Sequence, residues 1–128
     1  MKKRILFSLL LMGLSLLTVQ AKSGHVLATD HEATNLTSFI TYSEPSFTKK
    51  VIFQGKEYMI VLFAFKQGQE LKPHTIPIDA FVQVLEGTAT VIIDGKEHSV
   101  QAGHMISLPK DLPHGLTAYE NFKIILVK

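Results

Sequence analysis

The chain has 128 residues, no cysteine and nearly balanced charge, with 13 Lys and Arg against 11 Asp and Glu. This length holds one domain of ordinary size. The absence of cysteine excludes a disulfide framework, thiolate metal sites and a cysteine nucleophile. Since 46% of the residues are hydrophobic, an ordinary apolar core must supply the stability.

The first 21 residues are predicted to be a cleavable signal peptide. Residues 2–4 are basic, residues 5–17 form an almost unbroken apolar run, and Ala21 ends a cleavage pattern of small residues. The apolar run is shorter than the roughly 20 residues that a membrane-spanning helix needs. We therefore expect an exported bacterial protein, periplasmic or secreted, with no stable membrane anchor after cleavage.

Cleavage would also reverse the sign of the net charge. Three of the 13 basic residues lie in the predicted signal peptide, so 10 basic and 11 acidic residues remain and the formal charge becomes −1. Such a chain has no basic stripe to attract phosphate backbones. We expect no nucleic-acid partner.

The pattern that follows predicts a short arm and then a series of strands. Residues 22–46 are expected to form an N-terminal arm with one short helix, since Thr29 and Glu32 resemble a capping box. From residue 47 to residue 128, short apolar runs alternate with turn signals such as Gly87 and Asp94-Gly95. Strands are predicted at residues 50–53, 57–66, 80–85, 88–93, 97–100, 105–108, 115–118 and 122–127. This is typical of an all-β sandwich or barrel.

Two sequence features bear on how those strands are arranged. The unbroken apolar run at residues 59–65 predicts a strand buried on both faces. Residues 68–77 interrupt the strand pattern, with a loop that ends at His74, where the next strand is expected to open.

Two histidines lie where a closed sheet could bring them together. His74 follows Pro73, and His114 follows Pro113, and each proline limits the backbone freedom beside its histidine. Neutral imidazole presents a lone pair and is the commonest side-chain metal ligand. The alternative is a pair of turn histidines bonded to solvent or backbone, and the spacing alone favours that alternative.

Both histidines lie in segments that resemble the two cupin motifs. Residues 68–87, from Gly68 through His74 to FVQVLEG, resemble the first motif, and residues 103–114, GHMISLPKDLPH, resemble the second. The resemblance covers residues 47–128 and is to small single-domain conserved-barrel cupins. It implies an all-β fold of the cupin type, a double-stranded β-helix or jelly-roll barrel.

The resemblance also implies a weakened metal site. His74 and His114 match two of the family's four ligands, whereas Ile76 and Ala80 stand where a second histidine and a glutamate are usual. Two imidazoles would hold a divalent metal such as iron, manganese, zinc or nickel only weakly. Asp79 becomes a third metal ligand if a bulge turns it inward.

The remaining histidines are interpreted as non-ligands. They are His25, His31, His98 and His104.

Three functions follow from these observations. The first is binding of a small, partly apolar molecule in a barrel pocket lined by His74, Ile76, Ala80, Val82, Val84 and His114. The second, implied by the resemblance, is a metal-dependent oxygenase or isomerase that uses His74 and His114, with Asp79 as the further candidate. The third is a structural subunit, a homodimer formed through the apolar run at residues 59–65.

Overall fold

The structure is a computed structural model that describes residues 33–128. The predicted signal peptide and residues 22–32, which include Thr29, Glu32, His25 and His31, lie outside the described residues. Cleavage and export therefore stay predictions. Within the described range, no helix is long and apolar enough to cross a membrane.

Residues 33–128 form nine strands and one 3-10 helix, which confirms the all-β prediction. The 3-10 helix covers Leu36–Phe39. The strands are β1 (Thr48–Gln54), β2 (Met59–Phe65), β3 (Glu70–His74), β4 (Ala80–Glu86), β5 (Thr88–Ile93), β6 (Lys96–Gln101), β7 (Met105–Leu108), β8 (His114–Ala118) and β9 (Phe122–Val127).

The strands form two antiparallel sheets that enclose one core. The five-stranded sheet has the order β1-β2-β9-β4-β7, and the four-stranded sheet has the order β3-β8-β5-β6. Phe65 and Phe122, paired in register on β2 and β9, are fully buried between the sheets. Val91 and Leu116 of the other sheet belong to the same apolar cluster. This arrangement is the jelly-roll barrel that the resemblance implies.

Between β4 and β5 the chain passes from the five-stranded sheet to the four-stranded sheet through a single residue, Gly87. Its φ is +81°, in the left-handed region that favours glycine. A Cβ atom on this residue would lie 2.1 Å from the carbonyl oxygen of Asn121. Both the backbone conformation and the close approach therefore require glycine at this crossing.

Strand β2 is buried on both faces, as its apolar run predicts. Phe65 points into the core between the sheets. Leu62 and Ala64 on the opposite face are fully buried under Ile40. Residues 33–46, which we call the N-terminal segment, thus cover the outer side of β2. The homodimer predicted through this strand stays a prediction.

Polar contacts hold the N-terminal segment in place. Lys123 is buried and donates a hydrogen bond of 2.8 Å to the backbone oxygen of Thr37. Its ammonium group lies 3.5 Å from the Glu86 carboxylate and 4.7 Å from the centre of the Tyr42 ring. The Tyr42 hydroxyl donates a hydrogen bond to the Glu86 carboxylate. Burial of the hydroxyl raises the pKa of Tyr42 well above its usual value, and the nearby Glu86 carboxylate raises it further.

The described part of the predicted helix is one 3-10 turn. Its N-cap is Asn35, whose side chain accepts a hydrogen bond of 3.1 Å from the Thr37 amide.

Strand β3 corrects the predicted loop at residues 68–77. Glu70–His74 is a strand, and His74 is its last residue rather than the first of the next strand. The polar sequence of β3 and the presence of Pro73 are untypical of a strand, so the sequence pattern does not predict it. Since β3 is an edge strand paired only with β8, and its register shifts between Leu71 and His74, proline is tolerated there.

Candidate ligand cavity

Strands β3 and β8 bring His74 and His114 side by side. The two residues are partners in the antiparallel register of these strands. Their ring centres are 4.6 Å apart, and the ring planes meet at 62°. His114 is buried, at 5% exposure, whereas His74 is exposed. The pair therefore lies at the boundary between the barrel interior and solvent.

Both rings are oriented by the same local hydrogen bond. The Nδ1 atom of His74 is 3.2 Å from the Lys72 carbonyl oxygen, and that of His114 is 3.1 Å from the Leu112 carbonyl oxygen. A carbonyl oxygen only accepts, so each Nδ1 is the donor. In the neutral ring the lone pair then resides on Nε2, which is left to accept a hydrogen bond or to bind a cation.

Burial keeps the His114 ring neutral. Loss of hydration lowers the pKa of His114, the Leu112 carbonyl partly opposes this, and the nearby His74 lowers the pKa further. Because the unperturbed value is near 6.5, the ring carries no charge at neutral pH.

We expect the protein to lose stability as the pH falls below about 6.5. The unfolded His114 takes up a proton near that pH, whereas the folded ring takes it up only at lower pH. The unfolded state thus binds more protons in this window. Urea unfolding between about pH 7.5 and about pH 5 should show a shallower decline in His114→Gln than in the wild type. The exposed His98, changed to Gln, is the control and should keep the wild-type decline. Equal slopes in all three proteins would contradict the prediction.

The two imidazoles border a cavity of about 240 Å³ between the sheets. Its walls come from both sheets and are mostly apolar. They include Phe47, Phe63, Phe65, Leu71, Val91 and Leu116. The Phe47 ring centre lies 4.9 Å from that of Phe65 and 6.0 Å from that of Phe63, so three aromatic rings share one wall.

Four of the six predicted pocket residues line this cavity, and two do not. His74, Ile76, Val82 and His114 line it. Ala80 instead borders a separate surface depression near Asp79, and Val84, at 1% exposure, lies within the packed core. Alternation along β4 correctly placed these side chains on the inner face. It could not tell how far the cavity extends along the strand.

The cavity also has lysine and aromatic wall residues that the sequence pattern did not predict. Lys49 and Lys128 line the cavity, as do the aromatic residues of β2. The signal for Lys49 is its register partner, Phe63, which faces the cavity. The signal for Lys128 is that it follows the inward residues Ile124 and Leu126 at a spacing of two.

The described residues do not fit a complete metal site. Asp79 is exposed and its carboxylate accepts a hydrogen bond of 2.9 Å from the Lys110 amide, so the suggested inward rotation is wrong. Asp79 is also absent from the cavity walls. Residues 33–128 contain no group of three or more His, Cys, Asp or Glu residues placed to hold a metal ion. Two imidazoles are fewer ligands than protein-held transition metals normally have.

The other described histidines, His98 and His104, are both exposed. Neither lines the cavity.

A jelly-roll barrel with a histidine pair at the edge of its cavity is the arrangement of the cupin class of protein. Residues 61–127 match the cupin domain family, Cupin_2, and the chain belongs to this family.

Solved structures agree with this assignment. A conserved protein of unknown function from Streptococcus pyogenes has a TM-score of 0.75 and 30% identity, over 84% of this chain and 95% of that one. A cupin 2 conserved barrel domain protein from Leptotrichia buccalis has a TM-score of 0.69 and 33% identity, over 73% of this chain and 46% of that one.

A curated relative is an enzyme. The chain is similar to the dimethylsulfoniopropionate lyase DddW of Ruegeria pomeroyi, with 33% identity over 63 residues, which are 49% of this chain and 41% of the lyase. The chain thus spans about two-fifths of the length of the curated relative it matches. Salicylate 1,2-dioxygenase from Pseudoaminobacter salicylatoxidans, 17% identical with a TM-score of 0.63, shares the fold.

Proposed function

We propose that this cupin binds a small, partly apolar molecule in the cavity between its two sheets. The observation that carries the proposal is the cavity itself, which combines apolar walls with two imidazoles oriented by backbone carbonyls. Binding sites commonly have this composition, a mostly apolar surface with a few placed polar groups. The volume of about 240 Å³ is below the ~300–1,000 Å³ of sites for drug-sized ligands, which favours a smaller molecule.

A metal-dependent oxygenase or isomerase has less support. Two Nε2 lone pairs are available, but Ile76 and Ala80 replace the family's other two ligands. Apolar replacements also raise the cost of holding a bare cation. The similarity to the lyase covers less than half of each chain, so it does not outweigh this deficit. We therefore propose that the cavity binds its ligand without a resident metal.

The proposal is tested by titrating EDTA-treated protein with phenol, hexanol and benzamide while methyl NMR signals are followed. Shifts are expected at Val82 and Leu116, which line the cavity, and not at Met105, which is 67% exposed elsewhere. Ile76→Phe fills the cavity and should weaken binding at least about tenfold.

The matched control is Ile78→Phe, at a residue that is 44% exposed and does not line the cavity. This variant should bind as the wild type does. The proposal is wrong if none of the three probes shifts the cavity methyls, if both variants bind equally, or if binding requires added Zn²⁺ or Fe²⁺.

A further inference from the structure

We infer that the ligand of this cavity is an organic anion with an apolar body and one carboxylate at the mouth. This inference rests on the proposed function and names the class of molecule bound. It is carried by the sign of the charge around the cavity. The lysines that line it are Lys49 and Lys128, and within residues 33–128 no Asp or Glu lines it.

Lys49 is placed at the mouth by the register of β1. It pairs with Phe63, so the two side chains lie on the same face of the sheet, the face that forms the cavity wall. β1 is the edge strand of its sheet, and Lys49 is exposed. The ammonium group can therefore stay hydrated while its aliphatic stem borders the apolar wall.

Neither lysine forms an ion pair with a carboxylate in the part of the chain that the structure describes. The ion pairs there are Lys66 with Glu44 and Lys123 with Glu86. Neither Lys49 nor Lys128 takes part in them. Both lysines line one cavity and neither belongs to an ion pair within residues 33–128, which favours an anion from solution as their partner.

The interior of the cavity limits where that anionic group can lie. Phe65 is fully buried, Val82 is 4% exposed and Leu116 is 6% exposed. A charge placed among these side chains would lose its hydration without a partner. The apolar part of the ligand therefore occupies the interior, and the carboxylate remains beside the lysines. A uniformly polar anion such as inorganic phosphate does not match this division.

Two pairs of probes with equal shape and different charge test the inference: benzoate with benzamide, and hexanoate with hexanamide. Each is titrated into metal-free protein near pH 7.5 and followed by the cavity methyl signals. In the wild type each carboxylate should bind at least about tenfold more tightly than its amide. Raising the salt from about 0.02 M to about 0.5 M should reduce this preference, since exposed charges are screened.

The variant Lys49→Met with Lys128→Met should reduce this preference, taken as the ratio of carboxylate to amide affinity in the same variant, to about threefold or less. The matched control is Lys50→Met, one position along β1, because Lys50 pairs with Leu62 on the opposite face. It should keep the wild-type preference.

Equal affinity within both pairs, or a preference that survives the double variant, overturns the charge inference while the proposed function stands. Failure of all four probes to bind, when phenol or hexanol does bind, also overturns this inference alone. Failure of every probe overturns the proposed function as well.

Discussion

Replacing Gly87 with alanine is expected to lower the free energy of unfolding by about 3–5 kcal/mol. A left-handed backbone costs an L-residue roughly 1–2 kcal/mol. The remainder comes from the contact of the new Cβ atom with the Asn121 carbonyl oxygen, 2.1 Å away in the present structure. This oxygen belongs to the backbone leading into β9, so the clash cannot be relieved by rotating a side chain. Urea unfolding measures the loss.

The matched controls for Gly87 are Gly95→Ala and Gly103→Ala. These residues have φ values of +74° and +88°, but a Cβ atom on either would meet nothing within 4 Å. They therefore carry the conformational cost alone, about 1–2 kcal/mol. The difference between Gly87→Ala and these variants isolates the close approach at the sheet crossing. A loss at Gly87 equal to that of the controls would refute the explanation.

Gly115→Ala is expected to separate the two histidines while the barrel remains folded. A Cβ atom at Gly115 would lie 2.6 Å from the Leu71 carbonyl oxygen and 3.0 Å from the Pro73 nitrogen. Edge strand β3 must then move away from β8, and it takes His74 with it. We expect a stability loss of about 1–3 kcal/mol, together with at least about a tenfold loss of cavity binding.

NMR can measure this displacement without a ligand. Contacts between the ring protons of His74 and His114, whose ring centres are 4.6 Å apart, should be present in the wild type and absent in Gly115→Ala. The control is Gly55→Ala in the β1–β2 turn, where the nearest atoms include the side chains of Phe53 and Tyr58, at 3.1 Å each. This variant should keep both the ring contact and binding. Retention of the ring contact in Gly115→Ala would contradict the prediction.

Local sequence patterns were sufficient for most of the strands. Asp94-Gly95 is a two-residue hairpin with positive φ at both residues, joining Ile93 to Lys96 as the dipeptide predicts. The unbroken apolar run of β2 likewise predicted burial on two sides. These features depend on neighbouring residues, and their physical causes, turn geometry and side-chain alternation, act over a few positions.

Strand β3, the extent of the cavity and the position of Asp79 depended on tertiary structure. Pro73 is compatible with a strand because β3 lies at a sheet edge, and its position there follows from the order of all four strands. Asp79 faces the Lys110 amide, 31 positions along the chain.

The amino-acid sequence by itself determined most of the strand-forming segments, the turn at Gly87 and the two histidine positions. Only the tertiary structure decided that the N-terminal segment covers β2, that Ala80 and Val84 stop short of the cavity and that Lys49 borders it. The reason is that chain alternation specifies the face of a strand, whereas depth, edge position and cross-sheet neighbours arise from pairing between residues far apart in the chain.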